Sequence, residues 1–534
     1  MPLSPILHLK KSRNSELSID LCKFLLYNVF DTMQIAHIVK YMSTTLKRSD
    51  FMYIGRTNKF YVNRYCRHDR VTGSCFLYSV HWPNGENARF FLDMGMKQGE
   101  DNIGSFNTYF PFNTEKIDFG IITHNHLDHV GLLPVLVQQK YENPIFMSYP
   151  THNLLDISLY DSVSIENKDS KETISDIDTV RKTLSLTVGC RYKSQIKPVK
   201  NIVFEFLLNG HIVGATSVVI KISYPGEEDI VIVHSGDYKD KNSFFNVEIP
   251  PSYVRNLKIS NMVVESTYGD VDSTDDMFKP VLEQNTATAI KEGKTVLFPT
   301  FAQGRHQEIL YRIKMWKKKG IIPERTLVVV DGRTSQEYNA RYMYNELGIK
   351  KIMRNFMPKD TYPIPRSNYR RVYRREVVED PQPKIIVAPG GMGTYGPITF
   401  YIQNLVSRDD VLLHALGYCS PDSTMHRLLD TPTGGVVHYS GNDYIKRCQV
   451  EKTAEMSSHP TRDVMLKFVQ YFPNVKSISI NHGEQEVQKS NREYYLENMD
   501  IYEDQVLTAD SDTAIRIESD GITRTFSSSF KPIL

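Results

Sequence analysis

Cysteine is scarce in this sequence: there are six in 534 residues, widely scattered, and no two of them form a CxxC pair. This distribution argues against a disulfide framework and against a cysteine-rich zinc site, because both need cysteines at short, regular spacings. Reduced thiols are typical of proteins inside the cell. We therefore expect a cytoplasmic location, or a nuclear one if the chain is eukaryotic.

Long apolar runs are also missing. No window approaches the roughly 18 uninterrupted apolar residues of a membrane span, so none is expected and no membrane partner is predicted. At the N-terminus the charges follow a short apolar run, which is the wrong order for a secretory signal. The sequence has no repeat of solenoid period and no low-complexity tract.

The sequence also lacks an excess of charge of either sign. Lys and Arg number 64 and Asp and Glu 62, so the net charge is only +2. This balance argues against a coat of positive charge but not against local basic patches. Residues 1–70 hold 12 basic and 5 acidic residues, a net charge of +7. Residues 14–48 are predicted as helical, and this end is either a small nucleic-acid-binding module or a solvated helical cap on the next domain.

The organisation of the chain changes near residue 71, where short β-rich runs begin. Strands followed by helices recur through the first half, which is typical of an α/β layered fold. A second α/β region begins near residue 270. Within it the Pro- and Arg-rich residues 357–375 are predicted as a loop, and the last 25 residues of the chain as a closing β-hairpin.

A dense group of candidate metal ligands occupies residues 123–129, which read THNHLDH. Alternation along an extended segment places His124 and His126 on one side, and the following turn brings Asp128 and His129 back towards them. Neutral imidazole and carboxylate are ligands that zinc prefers. Four such groups in six residues, between an apolar strand and a helix, predict a metal site.

This HxHxDH run resembles that of the metallo-β-lactamase superfamily, whose fold is an αββα sandwich of two sheets. The resemblance implies further site residues in a fixed order at strand ends. FFLDMG offers Asp93, NGHIVGATS offers His211, and HSGDY offers Asp237. Each match is weak alone, but their order and positions together support the resemblance.

The spacing of the last ligand points to one branch of the superfamily. The best candidate, His482 in ISINHGEQE, lies 245 residues after Asp237 (482 − 237), so a domain must be inserted between them. The chain therefore resembles the β-CASP family, the nucleic-acid-processing members, over about residues 71–525. VVESTYGD offers Glu265 and SSHPTRD offers His459, while FPTFAQGRHQEIL and APGGMGTYGP resemble two segments of the inserted domain.

The resemblance implies the fold class and the domain order. We expect an α/β chain, with an αββα metallo-β-lactamase sandwich, an inserted α/β β-CASP domain and a short helical N-terminal extension. The expected boundaries are 1–50 for the basic extension, 51–269 for the first part of the sandwich, 270–455 for the β-CASP domain and 456–534 for the C-terminal part of the sandwich.

The resemblance also implies two zinc ions, which at about 3.5–4 Å apart can activate a hydroxide and clamp an in-line phosphoryl displacement. The implied ligands are His124, His126 and His211 for the first zinc, Asp128, His129 and His482 for the second, and Asp237 for both. Asp93 would accept a hydrogen bond that orients a ligand histidine, although it could instead cap a strand.

The predicted catalytic residues are Asp128, Asp237, His459 and Glu265. His459 would stay free of metal and protonate the leaving oxygen, and Glu265 would accept a hydrogen bond from its other nitrogen. The proline after His459 departs from the family's usual small residue, and it could stiffen the loop or shift the ring.

Two features favour RNA as the substrate. In the family, a histidine at the position of His482 goes with RNA-processing members, whereas DNA-repair members usually have valine there. Residues 354–375 hold seven Arg or Lys and one acid, and arginine can contact phosphate while tyrosine stacks on unpaired bases. The candidate RNA-binding residues are Arg366, Arg370, Arg371, Arg374, Tyr369 and Tyr373; a solvated charged loop is the alternative.

The sequence thus predicts a zinc-dependent ribonuclease that hydrolyses phosphodiester bonds of single-stranded RNA in the cleft between two domains. Endonuclease and 5′-exonuclease action both stay open, as do a homodimer and a larger RNA-processing complex. Two alternatives remain: a metallo-β-lactamase-fold hydrolase acting on DNA or a small ester, and a non-catalytic RNA-binding scaffold.

Overall fold

The computed structural model describes residues 60–67, 71–97, 104–110, 112–169, 175–344, 347–351, 353–365, 370–509 and 513–527. The chain divides into two units, residues 1–59 and residues 60–534. The predicted N-terminal extension, with its helices over 14–48, lies outside the described residues. Among the described residues, no helix combines the length and the apolar composition needed to cross a membrane.

Two large sheets are formed by the segments on either side of the predicted insertion. Their strands are short runs rich in Val, Ile, Phe and Tyr, which favour extended backbone. The first sheet has eight strands, in the spatial order Gly521–Ser527, Thr513–Glu518, Tyr61–Cys66, Phe76–His81, Asn87–Leu92, Phe119–Ile121, Ile145–Ser148 and Thr187–Cys190. The second has seven, in the order Val506–Thr508, Ile478–Asn481, Asn261–Glu265, Ile230–His234, Thr216–Ile222, Ile202–Leu208 and Ile196–Val199.

The two sheets pack face to face through a core of aromatic and β-branched side chains. The rings of Phe90 and Phe119, on the first sheet, are stacked with centroids 4.9 Å apart, and Phe119 lies 6.2 Å from Phe204 on the second sheet. All three are buried in one cluster. Burial of this apolar surface is the main force that holds the sheets together.

Helices cover the outer face of each sheet. Against the first sheet, Leu133 and Leu136 pack in a cluster with Phe91; against the second, Met465 and Phe468 pack with Val264. The helices of this part of the chain are Leu127–Val130, Leu133–Gln138, Tyr149–Asp169, Ile177–Ser185, Ser252–Arg255, Arg462–Gln470 and Gln485–Asn498, with short 3-10 turns at Gly104–Asn107, Thr114–Lys116 and Glu503–Gln505. The αββα sandwich predicted from the sequence is confirmed.

The predicted closing hairpin is present at the C-terminal end. Strands Thr513–Glu518 and Gly521–Ser527 pair antiparallel, and the first of them pairs with the first described strand, with Val62 opposite Ile517. The hairpin therefore extends the first sheet at its edge.

A third sheet is formed wholly within the predicted insertion. Its six parallel strands are, in spatial order, Thr361–Pro363, Leu327–Val330, Lys384–Pro389, Thr295–Thr300, Val411–Ala415 and Gln449–Lys452, beside a two-stranded ribbon of Val436–Tyr439 and Asn442–Ile445. Its helices are Leu282–Lys291, Arg305–Lys318, Arg333–Tyr342, Arg370–Glu379, Ile398–Leu405 and Thr424–Asp430, with 3-10 turns at Asp276–Phe278 and Met353–Asn355. Parallel strands alternating with helices are typical of an α/β domain.

The prediction of a loop over residues 357–375 is wrong in two places. Thr361–Pro363 is the edge strand of the third sheet, where proline is tolerated because one side of the strand is unpaired. Arg370–Glu379 is a helix. Val377 on this helix is buried and Tyr373 packs against the same core, so tertiary packing stabilises a helix where the charges suggested a loop.

The insertion leaves and re-enters the sandwich at adjacent strands of the second sheet. Asn261–Glu265 runs parallel to Ile478–Asn481, with Glu265 opposite Asn481. Residues more than 200 positions apart in sequence therefore meet at one end of the sheet. This arrangement brings the candidate residues Glu265 and His482 to the same place.

Candidate metal centre and active site

The candidate residues gather at the ends of the central strands of both sheets. His124 follows strand Phe119–Ile121, and His126 precedes the short helix Leu127–Val130. His211 lies between strands Ile202–Leu208 and Thr216–Ile222, Asp237 follows Ile230–His234, and His482 follows Ile478–Asn481. Side chains on four separate segments thus converge because the strands of a sandwich end at a common edge.

Three histidines form the first group. The ligand atoms of His124, His126 and His211 all lie within 4.8 Å of one another. His211 Nε2 is 3.1 Å from His126 Nδ1. Two nitrogens bound tetrahedrally to one zinc at about 2.1 Å lie about 3.4 Å apart, so the observed spacing is close to that of a shared ion.

A second group has two carboxylates and two histidines. The ligand atoms of Asp128, His129, Asp237 and His482 also lie within 4.8 Å of one another. Asp128 Oδ2 is 3.9 Å from His129 Nε2 and 3.8 Å from His482 Nε2. The set of imidazole and carboxylate donors suits a divalent ion such as zinc.

Asp237 stands between the two groups and turns one oxygen to each. Its Oδ2 lies 3.7 Å from Nε2 of both His124 and His211. Its Oδ1 lies 3.4 Å from Nε2 of both His129 and His482. The carboxylate therefore lies between the two groups, and its bridging of two ions stays a prediction.

The electrostatics of the site favour a neutral His124 and an ionised Asp237. Burial, with help from the neighbouring His129, lowers the pKa of His124 well below its usual value. This favours the neutral imidazole that a metal ligand requires. For Asp237, burial acts in the opposite direction, but His129 and His482 hold its pKa well below the usual range. Nε2 of His124, His129 and His482 has no hydrogen-bond partner among the described residues, and such buried orphan donors or acceptors are rare unless they bind an ion.

The other ring nitrogen of His129 is held by Asp93. His129 Nδ1 lies 2.7 Å from Asp93 Oδ2, so the ring donates to this carboxylate and turns Nε2 towards the site. Thr123 fixes Asp93 in turn, through its backbone N–H at 2.8 Å and its hydroxyl at 2.8 Å. Asp93 has φ +59°, a left-handed conformation that is uncommon for residues other than glycine. The placement matches the orienting role predicted for Asp93.

Two further ligand histidines are oriented in the same way. His211 Nδ1 donates to the backbone carbonyl of Ser458 at 3.0 Å, and His482 Nδ1 lies 3.1 Å from the hydroxyl of Thr267. Such outer contacts fix the tautomer of a ligand histidine. His482 itself has φ +51°.

Replacing Asp93 by Asn is expected to weaken metal binding by about 10–100-fold, because the neutral amide no longer holds the Nδ1 proton of His129. Competition with a chromophoric chelator measures this affinity. Asp118→Asn is the matched control, since Asp118 accepts a backbone hydrogen bond at an exposed position outside the metal groups. Unchanged affinity in the Asp93 variant would contradict the orienting role.

His459 lies beside the metal groups, in contact with Glu265. Its Nδ1 is 3.0 Å from both carboxylate oxygens of Glu265, which also accepts from the backbone N–H of Tyr238 at 2.7 Å. Its ring centroid is 4.7 Å from that of His211. Pro460 thus does not prevent the predicted contact. His459 also falls in a group with His211 and Asp237 that could hold a metal ion, so the geometry suits either an acid or a ligand.

A cavity of about 200 Å³ opens between the sandwich and the inserted domain. The sandwich contributes His126, Asp128, Asp237, His459 and His482 to its lining, and the inserted domain contributes Phe301, Gln303, Arg305, Met392 and Tyr418. Phe301 is 40% exposed, and its ring centroid lies 6.3 Å from that of His126. The predicted cleft between two domains is therefore present.

Sequence reasoning assigned no role to the residues that the inserted domain adds to this cavity. Phe301, Gln303 and Arg305 belong to FPTFAQGRHQEIL, and Met392 to APGGMGTYGP. Both segments stood out in the sequence as resembling parts of the β-CASP domain. The signal was present, but it did not indicate which side chains face the site.

The predicted RNA-binding residues are only partly placed. Arg370 and Arg371 are exposed on helix Arg370–Glu379. Arg374 instead donates to Asp331 through Nε at 2.5 Å and Nη2 at 3.0 Å, which is a structural pairing within the domain. Tyr373 is partly buried against the core. Arg366 and Tyr369 lie outside the described residues.

The fold and the site define a class of protein. A sandwich with a His- and Asp-rich centre at its strand ends is the metallo-β-lactamase architecture, and the family described as "Metallo-beta-lactamase superfamily domain" matches residues 84–247. The family described as "Beta-Casp domain" matches residues 306–428. The chain therefore contains a metallo-β-lactamase domain and a β-CASP domain.

Several curated proteins are similar over most of this chain. "Transcription termination factor FttA" of Methanosarcina mazei is 26% identical over 432 residues, which are 78% of this chain and 65% of the relative. "Probable RNase MJ4" of Methanocaldococcus jannaschii is 26% identical, covering 75% of this chain and 89% of the relative. "Ribonuclease TTHA0252" of Thermus thermophilus is 26% identical, covering 78% and 91%. The chain thus spans about two thirds of the length of the termination factor.

Proposed function

We propose that this protein is a metal-dependent ribonuclease that hydrolyses phosphodiester bonds of single-stranded RNA. The observation that supports it most is the position of Asp237, which turns one oxygen to each of two ligand groups beside a His459–Glu265 pair. Two of the similar proteins are named as ribonucleases. The proposal includes RNA as the partner and a cytoplasmic location, or a nuclear one in a eukaryote.

The proposed ions are two zinc ions, since histidine-rich donor sets with carboxylates suit zinc better than magnesium or calcium. His124, His126 and His211 would hold one, Asp128, His129 and His482 the other, and Asp237 both. Two ions bound there would supply a strongly nucleophilic water oxygen and neutralise the charge that develops on the phosphate.

The residues of the chain provide the proton for the other half of the reaction. The water oxygen forms a new bond to phosphorus as the bond to the leaving oxygen breaks, and that oxygen needs a proton. Nδ1 of His459 is hydrogen-bonded to Glu265, so Nε2 is the nitrogen that can reach a substrate in the cavity. We assign proton donation to this nitrogen.

Phe301 supports an unpaired nucleic acid strand as the substrate. A phenylalanine that is 40% exposed beside the ligand groups offers an aromatic face on which a base can stack. A base in a duplex is already stacked on its neighbours, so this contact favours single strands.

Replacing Phe301 by Ala is expected to raise KM for single-stranded RNA by roughly 5–100-fold, because stacking of one base contributes about 1–3 kcal/mol. Phe301→Trp should keep KM within a few-fold of the wild type. Tyr502→Ala is the control, since Tyr502 is 74% exposed and does not line the cavity. Equal KM values for the Ala variant and the wild type would argue against stacking at this position.

A time course on RNA and DNA of the same sequence tests the function directly. The strands are labelled at either end, carry a 5′ phosphate or hydroxyl, and are incubated with zinc or with a chelator. We expect zinc-dependent cleavage of RNA, and the label positions distinguish endonuclease from 5′-exonuclease action. Cleavage of DNA alone would overturn the substrate, and no cleavage of either would favour a non-catalytic RNA-binding scaffold.

A further inference from the structure

Arg305 links the inserted domain to the segment that carries His459. It is the first residue of helix Arg305–Lys318 and follows Gly304, whose φ of +87° turns the chain into the helix. Its Nη1 donates to the backbone carbonyls of Leu416, at 3.0 Å, and Met456, and its Nη2 donates to the hydroxyl of Ser458 at 3.0 Å. The guanidinium therefore donates hydrogen bonds to residues one and three positions before His459.

The partners of Arg305 are unusual for a partly buried guanidinium, because all three are neutral. Glu308 and Glu455, the nearby acids, pair with Arg312 instead. Burial lowers the pKa of Arg305. Partly burying a cation among neutral partners is costly. Arginine suits these acceptors because its planar guanidinium presents donors from two separate terminal nitrogens, whereas lysine has a single nitrogen. The contacts of Arg305 therefore serve to hold backbone segments in place and not to neutralise a charge.

The segment that Arg305 holds is also fixed from the sandwich side. Lys239 Nζ donates to the backbone carbonyl of His459 at 3.0 Å. The backbone N–H of His459 donates to the hydroxyl of Ser457 at 3.3 Å. One cation from each domain therefore secures residues 456–459, and the His459 ring is left in contact with Glu265.

His124 and His126 have a separate anchor on the inserted domain, whereas His211 is held by Asn209 in the sandwich and by the carbonyl of Ser458, in the segment that Arg305 contacts. Asn125, between His124 and His126, donates through Nδ2 to Gln303 Oε1 at 2.9 Å and to the hydroxyl of Tyr338 at 3.0 Å. The backbone N–H of His211 donates to Asn209 Oδ1 at 3.1 Å. Loss of the Arg305 contacts should therefore disturb His459 more than His124 and His126, and it reaches the metal groups through the contact of His211 with Ser458.

We propose that Arg305 is a positioning residue for His459: its guanidinium fixes the backbone of residues 456–459 so that His459 stays aligned to protonate the leaving oxygen. The inserted domain thereby completes the acid side of the active site. This inference rests on the proposed ribonuclease function. On this inference the inserted domain contributes to proton transfer as well as to substrate binding.

The test compares Arg305→Lys with wild type on two substrates. One is ordinary RNA, and the other carries a single bridging sulfur in place of the leaving oxygen, which departs without a proton. On ordinary RNA we expect kcat to fall about 10–100-fold, within the range for partial loss of general acid catalysis, with KM changed less than about threefold. On the sulfur substrate the defect should shrink to less than about threefold, as it should for His459→Ala. Metal content should equal that of the wild type.

Arg333→Lys is the matched control. Arg333 is also the first residue of a helix in the inserted domain, follows a glycine with positive φ, and is an exposed partner of Glu337. It should behave as wild type on both substrates. Ser458→Ala is a second, milder variant that removes one acceptor of Arg305 and keeps the carbonyl that His211 uses; its smaller defect should also disappear with sulfur.

Equal defects of Arg305→Lys on both substrates would overturn the positioning role, whether they arise from lost phosphate binding, lost metal or lower stability. If Arg305→Lys does not fold, Ser458→Ala provides the test. A Ser458→Ala defect that is as large on the sulfur substrate as on ordinary RNA overturns the positioning role. A wild-type protein that cleaves neither substrate, or a His459→Ala variant that sulfur does not rescue, contradicts the proposed function. Those two results are obtained without the Arg305 variants, so the two failures are distinguishable.

Discussion

Asp237→Asn is expected to lower the rate of RNA cleavage by about 10⁴-fold, equivalent to about 5 kcal/mol of transition-state stabilisation. The reason is the position of its carboxylate, which faces His124 and His211 with one oxygen and His129 and His482 with the other. An amide has one acceptor oxygen and no charge, so it can serve one group at most. Single-turnover cleavage and metal analysis measure the two consequences together.

The metal content should fall with the activity in this variant, from two ions per chain to one or none. Asp178→Asn is the control, because Asp178 is 88% exposed and pairs with Arg181 on a surface helix. Melting temperatures of the two variants identify any loss of folding. An Asp237 variant that keeps both ions and wild-type cleavage would remove the two-metal mechanism.

His459→Ala is expected to reduce kcat by about 10²–10⁴-fold while the protein keeps its full complement of metal. The reason is that His459 is held through Nδ1 by Glu265 and lines the cavity. It is not among the seven residues that we assign to the two metal ions. Cleavage of ordinary RNA and metal content are measured on the same samples. Glu265→Gln should give a smaller loss, since the ring stays but its charged partner is removed.

His438→Ala is a close control for this variant. His438 forms the same kind of pair, with Nδ1 2.9 Å from Asp443 Oδ1, but on the exposed ribbon of the inserted domain. It should cleave RNA as the wild type does. If His459→Ala instead loses one equivalent of metal, His459 is a ligand, as its grouping with His211 and Asp237 also allows.

Much of the site was predictable because its first part is local in sequence. His124, His126, Asp128 and His129 lie within six residues, so their spacing alone places them together. The more distant ligands could be predicted because the resemblance fixes their order at strand ends. The structure brings these residues together with Asp93, His211, Asp237 and His482.

Contacts with backbone carbonyls could not be predicted. Arg305 binds the carbonyls of Leu416 and Met456, and Lys239 binds that of His459. Every residue has a carbonyl, so such partners leave no mark in the sequence. The pairing of Arg374 with Asp331 was missed for a related reason: the basic residues around Arg374 suggested a solvated or RNA-binding loop, and only the packing of a helix against the third sheet buries its guanidinium.

The sequence by itself determined the fold class, the presence of an inserted domain and the set of candidate metal-ligating side chains, because hydrophobic pattern, ligand chemistry and ligand order are all properties of the residues in line. The tertiary structure decided which oxygen of Asp237 faces which group, which side chains of the inserted domain enter the cavity, and how His459 is held. These depend on distances between segments that are 26 to more than 200 residues apart. Such distances are set by the packing of the sheets and the docking of one domain on the other.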